Sequence, residues 1–141
     1  MKAFILALLA ITAVTSIDHD ATPTSTLQVP NGATSLSMVV SQDEVFNVQL
    51  NGNPTTGYQW ILENNDQLSP VSIRALNLNN QNVGDFVKPN SGNSMVGVGG
   101  YYNFKFQAGK PSNDLITLNF VYKRLWESKA AKQVQVKVQI S

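Results

Sequence analysis

Two adjacent threonines, Thr55 and Thr56, sit between Pro54 and Gly57 in the run Asn53-Pro54-Thr55-Thr56-Gly57-Tyr58. Their hydroxyls both donate and accept hydrogen bonds. Pro54 fixes its own φ and pushes Asn53 towards an extended conformation, while Gly57 supplies the positive φ that a β-branched threonine resists. The run therefore reads as a stiff loop with a polar tip, although the same local signals suit an ordinary connection between strands. Two later stretches share its surface chemistry. In Gly97-Val98-Gly99-Gly100 the missing side chains let another backbone come close. In Arg124-Leu125-Trp126 the outer two residues are of the types that dominate binding hot spots.

Catalysis finds little support among the remaining groups. Glu63, Asp66, Asp85 and Glu127 have no recognisable spacing for an acid/base pair. A serine nucleophile needs a base, and the single histidine, His19, lies near the N-terminus between Asp18 and Asp20. That Asp-His-Asp run reads as solvated charge rather than a metal site. With no cysteine in the chain, a disulfide framework, a thiolate zinc site and a cysteine nucleophile are excluded together. The expectation is a protein without catalytic residues, metal or cofactor.

The loops must be positioned by strands, because the chain is mostly of period two from Ala33 onward. Leu36, Met38 and Val40 alternate with polar residues, and Phe46, Val48 and Leu50 form the face that leads into the threonine loop. Beyond the loop the pattern resumes with Tyr58, Trp60 and Leu62, then Val71, Ile73 and Ala75 after Pro70. Residues 77–82 are rich in Asn and Gln and read as a loop, and 85–88 as a short strand. Tyr102, Phe104 and Phe106 follow, then Ile116, Leu118, Phe120 and Tyr122, and finally Val134, Val136, Val138 and Ile140. The pattern predicts an all-β, immunoglobulin-like β-sandwich of about seven or eight strands without a disulfide. Trp60, on what reads as the third strand, is placed between its sheets. Loops leaving the same end of a sandwich can converge although they are distant in sequence, so the three stretches are candidates for one surface.

At 141 residues the chain reads as one domain, or one domain plus a processed end. Residues 1–16 combine a basic start at Lys2, an apolar run too short to span a bilayer comfortably, and small residues at the close, which is the pattern of a secretory signal peptide. Residues 17–32 read as a flexible N-terminal arm and 33–141 as the folded domain. Lys2 is the only charge in the leader, so the formal charge of +1 falls to 0 on its removal. That balance argues against nucleic acid or anionic lipid as a partner. The expected location is the secretory pathway, with the protein either secreted or delivered to a lysosome or phagosome.

The motifs Asn53-Pro54-Thr55-Thr56-Gly57-Tyr58, Gly97-Val98-Gly99-Gly100 and Arg124-Leu125-Trp126, in this order and spacing, resemble those of the chagasin family of cysteine peptidase inhibitors. The similarity runs from Ala33 to Ile140. It implies a sandwich whose threonine loop enters the catalytic cleft of a papain-like cysteine peptidase while the other two loops brace its sides. The peptidase-binding residues would then be Asn53, Pro54, Thr55, Thr56, Gly57, Tyr58, Gly97, Val98, Gly99, Gly100, Arg124 and Trp126, in a monomer that binds its target 1:1. Leu125 departs from the family, which usually has proline there. The competing reading is a secreted carbohydrate-binding or adhesive sandwich that uses Trp126, Tyr101 and the Asn-rich loops.

Overall fold

The alternating pattern is realised as nine strands in the computed structural model, which describes residues 22–88 and 99–141. They are β1 (Ser25–Val29), β2 (Ser35–Val40), β3 (Val45–Gly52), β4 (Tyr58–Leu62), β5 (Ile73–Ala75), β6 (Asp85–Val87), β7 (Gly100–Ala108), β8 (Ile116–Arg124) and β9 (Lys132–Ile140). One sheet has the order β1-β3-β7-β5, with β6 also paired to β7, and the other runs β2-β9-β8-β4. Two sheets face to face are the immunoglobulin-like sandwich that the alternation predicts, because each strand must bury one face.

The inward residues are those of the period-two sets. Phe46, Val48 and Leu50 of β3 and Tyr102, Phe104 and Phe106 of β7 face Leu118 and Phe120 of β8 and the valines of β9, all nearly closed to solvent. Phe104 meets Phe120 edge-on, with ring centroids 4.8 Å apart at 62°, a geometry that ring quadrupoles favour. Trp60 lies in this core, on β4.

The structure departs from the sequence expectation in two places. Residues 25–29 belong to no mobile arm but form β1, which pairs in parallel with β3 from Ser25↔Phe46 to Val29↔Leu50. The strand is held at its start by Thr24, whose N–H donates to Val45 O at 2.9 Å, and by Glu44, which accepts from the hydroxyls of Thr24 and Ser25. Hydrogen bonds from Ser25, then from the Ser41 N–H and least from Thr24, hold the Glu44 carboxyl below its ordinary range. The run from Val71 to Ala75 is strand only over its last three residues. Val71 is exposed because Ser72 N–H and Ile73 N–H both turn back to Ser69 O. With β1 included, the described residues form nine strands. The leader read at 1–16 lies outside the described residues.

The Asn-rich stretch is a loop with a purpose. Asn79 Oδ1 accepts from Gln81 N at 2.9 Å and Val83 N at 3.2 Å. This side-chain turn delivers Val83 to bridge Ile61, and Leu62 N–H donates to Asn82 O, so the free edge of β4 is covered.

Candidate functional site

The threonine loop is one 3-10 turn over Pro54–Thr56, and the sequence explains each of its ends. Asn53 is extended (φ −139°), and its Oδ1 accepts from Thr55 N–H at 3.1 Å and from the Thr55 hydroxyl at 2.7 Å. Thr56 Oγ1 donates to Asn53 O at 2.9 Å. Gly57 closes the turn in the left-handed region at φ 84°, its N–H donating to Pro54 O at 3.0 Å. Both threonines are exposed, yet both hydroxyl protons are used within the loop. Outward they present methyl groups and oxygen lone pairs, a surface that accepts hydrogen bonds.

The loop stands on aromatic residues that the sequence reading did not assign to the site. Tyr122 Oη accepts from Asn53 N–H at 3.1 Å, Trp60 Nε1 donates to Asn51 O at 2.9 Å, and Tyr102 Oη donates to Tyr58 O at 3.3 Å. Tyr122 stacks on Tyr58 at 5.3 Å and tilts against Trp60 at 4.9 Å. These rings fix both strands that carry the loop. Burial, with a smaller effect from Tyr122, pushes the Tyr102 hydroxyl up to about 12, so it stays a donor. The available signal was the placement of tyrosine or tryptophan, which bring a polar atom into the core, at strand ends beside the loop.

Arg124, the last residue of β8, pairs with Tyr58 across the β4–β8 ladder. Its Nε donates to Thr56 O at 3.4 Å and its Nη1 pairs with Glu127 at 3.4 Å. The guanidinium also lies 4.6 Å from the Tyr58 ring and 5.9 Å from that of Trp126, within cation–π reach of both. Trp126 keeps 73% of its surface exposed, which fits a surface role rather than packing. A β-carbon on Gly57 would come within 3.1 Å of the Trp126 ring, so first and third loops touch.

The glycine segment joins from the other side. A β-carbon on Gly99 would lie 3.1 Å from Gly52 O and 3.8 Å from Asn53 Cβ. Gly100 answers a different demand from the one read in the sequence. It begins β7, and a β-carbon there would collide with Val87 O, so this glycine serves the close pairing of β6 with β7 inside the protein. Gly97 and Val98 lie outside the described residues. The other ten candidate residues come together at one end of the sandwich. Among the described residues no group of His, Asp and Glu could hold a metal there.

Residues 39–140 match the model of the chagasin family of peptidase inhibitors, I42. The chain belongs to the chagasin family. Its sequence is 28% identical over 94 residues to Amoebiasin-1 of Entamoeba histolytica, covering 67% of this chain and 78% of that relative. Its fold is similar to that of the cysteine protease inhibitor EhICP2 of Entamoeba histolytica, with a TM-score of 0.59 at 19% identity over 83% of this chain and 96% of the other. It is also similar to PbICP-C, solved in complex with falcipain-2, with a TM-score of 0.54 at 17% identity over 83% and 99%. At such identities the two structures speak to the fold. Chagasin-family members are inhibitors and not enzymes, and this chain is one of them. Leu125, in the family's usual proline position, is exposed at 39%.

Proposed function

We propose that this chagasin-family member is a reversible, tight-binding inhibitor of papain-like cysteine peptidases, acting 1:1 as a monomer by lodging the threonine turn in the catalytic cleft. The carrying observation is that Arg124 ties the threonine turn to the Trp126 loop through Thr56 O and both aromatic rings. The names of relatives support the target class: one is a cysteine protease inhibitor and another was solved with falcipain-2.

The turn explains how binding avoids cleavage. A thiolate attacks a carbonyl presented in a defined near-attack pose. Residues 54–56 are wound into a 3-10 turn, with Pro54 O occupied by Gly57 N–H, so no extended backbone is offered there for attack. The outward lone pairs of Thr55 and Thr56 suit a cleft whose imidazolium and backbone N–H groups donate. Pro54 and the internal hydrogen bonds reduce the entropy lost on docking. A standard protease–inhibitor interface buries roughly 1,600 Å² in total over both partners, the scale that converging loops would have to cover.

The test is steady-state inhibition of a papain-type peptidase. Competitive inhibition at a 1:1 ratio is expected, and Thr56→Lys, which obstructs entry, should weaken it at least as much as Trp126→Ala. No inhibition at micromolar concentration, or non-competitive kinetics, overturns the reading. The leader read at 1–16 carries a separate proposal, that the protein works in the secretory route, either secreted or in a lysosome or phagosome. A mature chain beginning at Met1 by mass spectrometry would refute it.

A further inference from the structure

Residues 30–34 carry the chain from β1 in one sheet to β2 in the other. They do so at the same end as the three loops, since Val29 pairs with Leu50 and Ser35 with Gln135. Asn51 Nδ2 donates to Asn31 Oδ1 at 3.2 Å, two residues before Asn53. Gly32, at φ 88°, makes the turn, and Ala33 N–H closes it on Pro30 O.

Between this crossover and the start of β9 lies a cleft of about 640 Å³, within the usual size of ligand pockets. Its floor is apolar, made by Val29, Leu50, Trp60 and Val134. Its rim is polar at Asn31, Thr34 and Gln133 and carries one charge, at Lys132. A shallower depression of about 570 Å³ lies beside it, between Tyr58, Trp126 and Lys129. Ala131 borders both, so the cleft is continuous with the surface beside the exposed indole.

We propose that this cleft is a fourth element of the peptidase-binding surface and receives an apolar side chain from a surface loop of the bound cysteine peptidase. The proposal rests on the function assigned above. Its support is continuity: the residues that floor the cleft also hold the threonine loop, Trp60 through Asn51 O, and its far wall begins where the Trp126 loop ends. An apolar floor within a polar rim is the arrangement of an anchor pocket at a protein interface. A partner seated on the three loops would bring its own surface over this cleft.

The experiment uses the full chain and one papain-type peptidase. Thr34→Trp and Gln133→Trp each place a ring at the cleft mouth from an exposed position, and the Thr34 carbonyl keeps its bond from Gln135 N–H. Thr26→Trp, exposed elsewhere on β1, is the control. The two cleft variants should bind at least ten-fold more weakly, mainly through faster dissociation, with unfolding midpoints matching the wild type, while the control binds normally. Benzoylphenylalanine at position 34 should cross-link to the peptidase. Unchanged or tighter binding by folded cleft variants overturns the proposal, as does cross-linking to a second copy of the chain or to no protein. If the wild type inhibits and Trp126→Ala weakens it while the cleft variants do not, this inference alone fails. If the wild type does not inhibit, the parent reading falls with it.

Discussion

The guanidinium of Arg124 lies 4.6 Å from the ring of Tyr58, the residue opposite it in the β4–β8 ladder, while its Nε reaches Thr56 O two residues earlier in the chain. One side chain thus spans the root and the tip of the threonine loop. At 36% exposure the ion pair with Glu127 contributes little by itself, and the geometry imposed on the loops matters more. Arg124→Met should therefore cost about 1 kcal/mol of stability or less, on the scale of an exposed cation–π contact. It should cost more in inhibitor affinity. Arg124→Lys should recover little, because an ammonium lacks the planar fork. Urea unfolding beside inhibition constants separates the two effects.

Trp126→Ala should weaken binding by about 2 kcal/mol or more, the scale of an aromatic hot spot. The loss should appear mainly as faster dissociation. Because the indole is exposed at 73%, the unfolding midpoint should barely move. Unchanged binding kinetics on a folded scaffold would remove the bracing role from this loop.

Leu125→Pro should be neutral or improve affinity. Proline forces the preceding residue to be extended, and Arg124 already closes a strand. The turn that follows is made by Glu127 N–H on Arg124 O, a bond that does not use the Leu125 amide. A stiffer loop then loses less entropy on binding. Weaker binding measured by surface plasmon resonance would show that the loop needs the freedom Leu125 gives it.

Two glycines should fail in different ways. Gly100→Ala places a β-carbon against Val87 O and should destabilise the protein by forcing β6 from β7, with a lowered urea midpoint. Gly57→Ala meets a left-handed φ of 84° and the Trp126 ring. It should cost roughly 1–2 kcal/mol in strain and also weaken inhibition, because the displaced ring belongs to the proposed binding surface.

Alkaline pH should unfold the protein through Tyr102. Its hydroxyl is raised from 10.0 to about 12 in the folded state, so the neutral form is favoured there. The stability it contributes is fully present below the unfolded value and is lost as pH rises through about 12. Tyr102→Phe should flatten the fall in thermal midpoint between these values. An unchanged slope would assign the alkaline transition to other groups.

Much of the sandwich was legible because its core strands alternate cleanly. Phe46, Val48 and Leu50, or Val134 to Ile140, admit no other period. β1 was not, since the half of it that faces solvent is Thr26 and Gln28, and a parallel pairing leaves no hairpin turn to mark it. Val71 misled for the opposite reason: it extends the alternation of Ile73 and Ala75, but the bonds to Ser69 O turn the backbone before the strand begins. At the site, exposed Thr55, Thr56 and Trp126 could be read from residue type and position. The supports could not. Tyr102, Tyr122 and Trp60 look like core residues in sequence, and only the packed fold brings their polar atoms to Asn51, Asn53 and Tyr58. Gly100 looks the same in sequence whether it admits a partner's backbone or its own neighbouring strand.

The central place of β9 between β2 and β8 bears on when the protein can form at all. Val40 O accepts from Ser141, 101 positions away, and the parallel ladder of β2 has no partner until residues 132–140 have been made. Contacts so distant in sequence close slowly. The sheet that carries Arg124 is therefore completed only after β9 has been made, and a ribosome-bound chain lacking β9 would leave β2 and one edge of β8 open to mispairing.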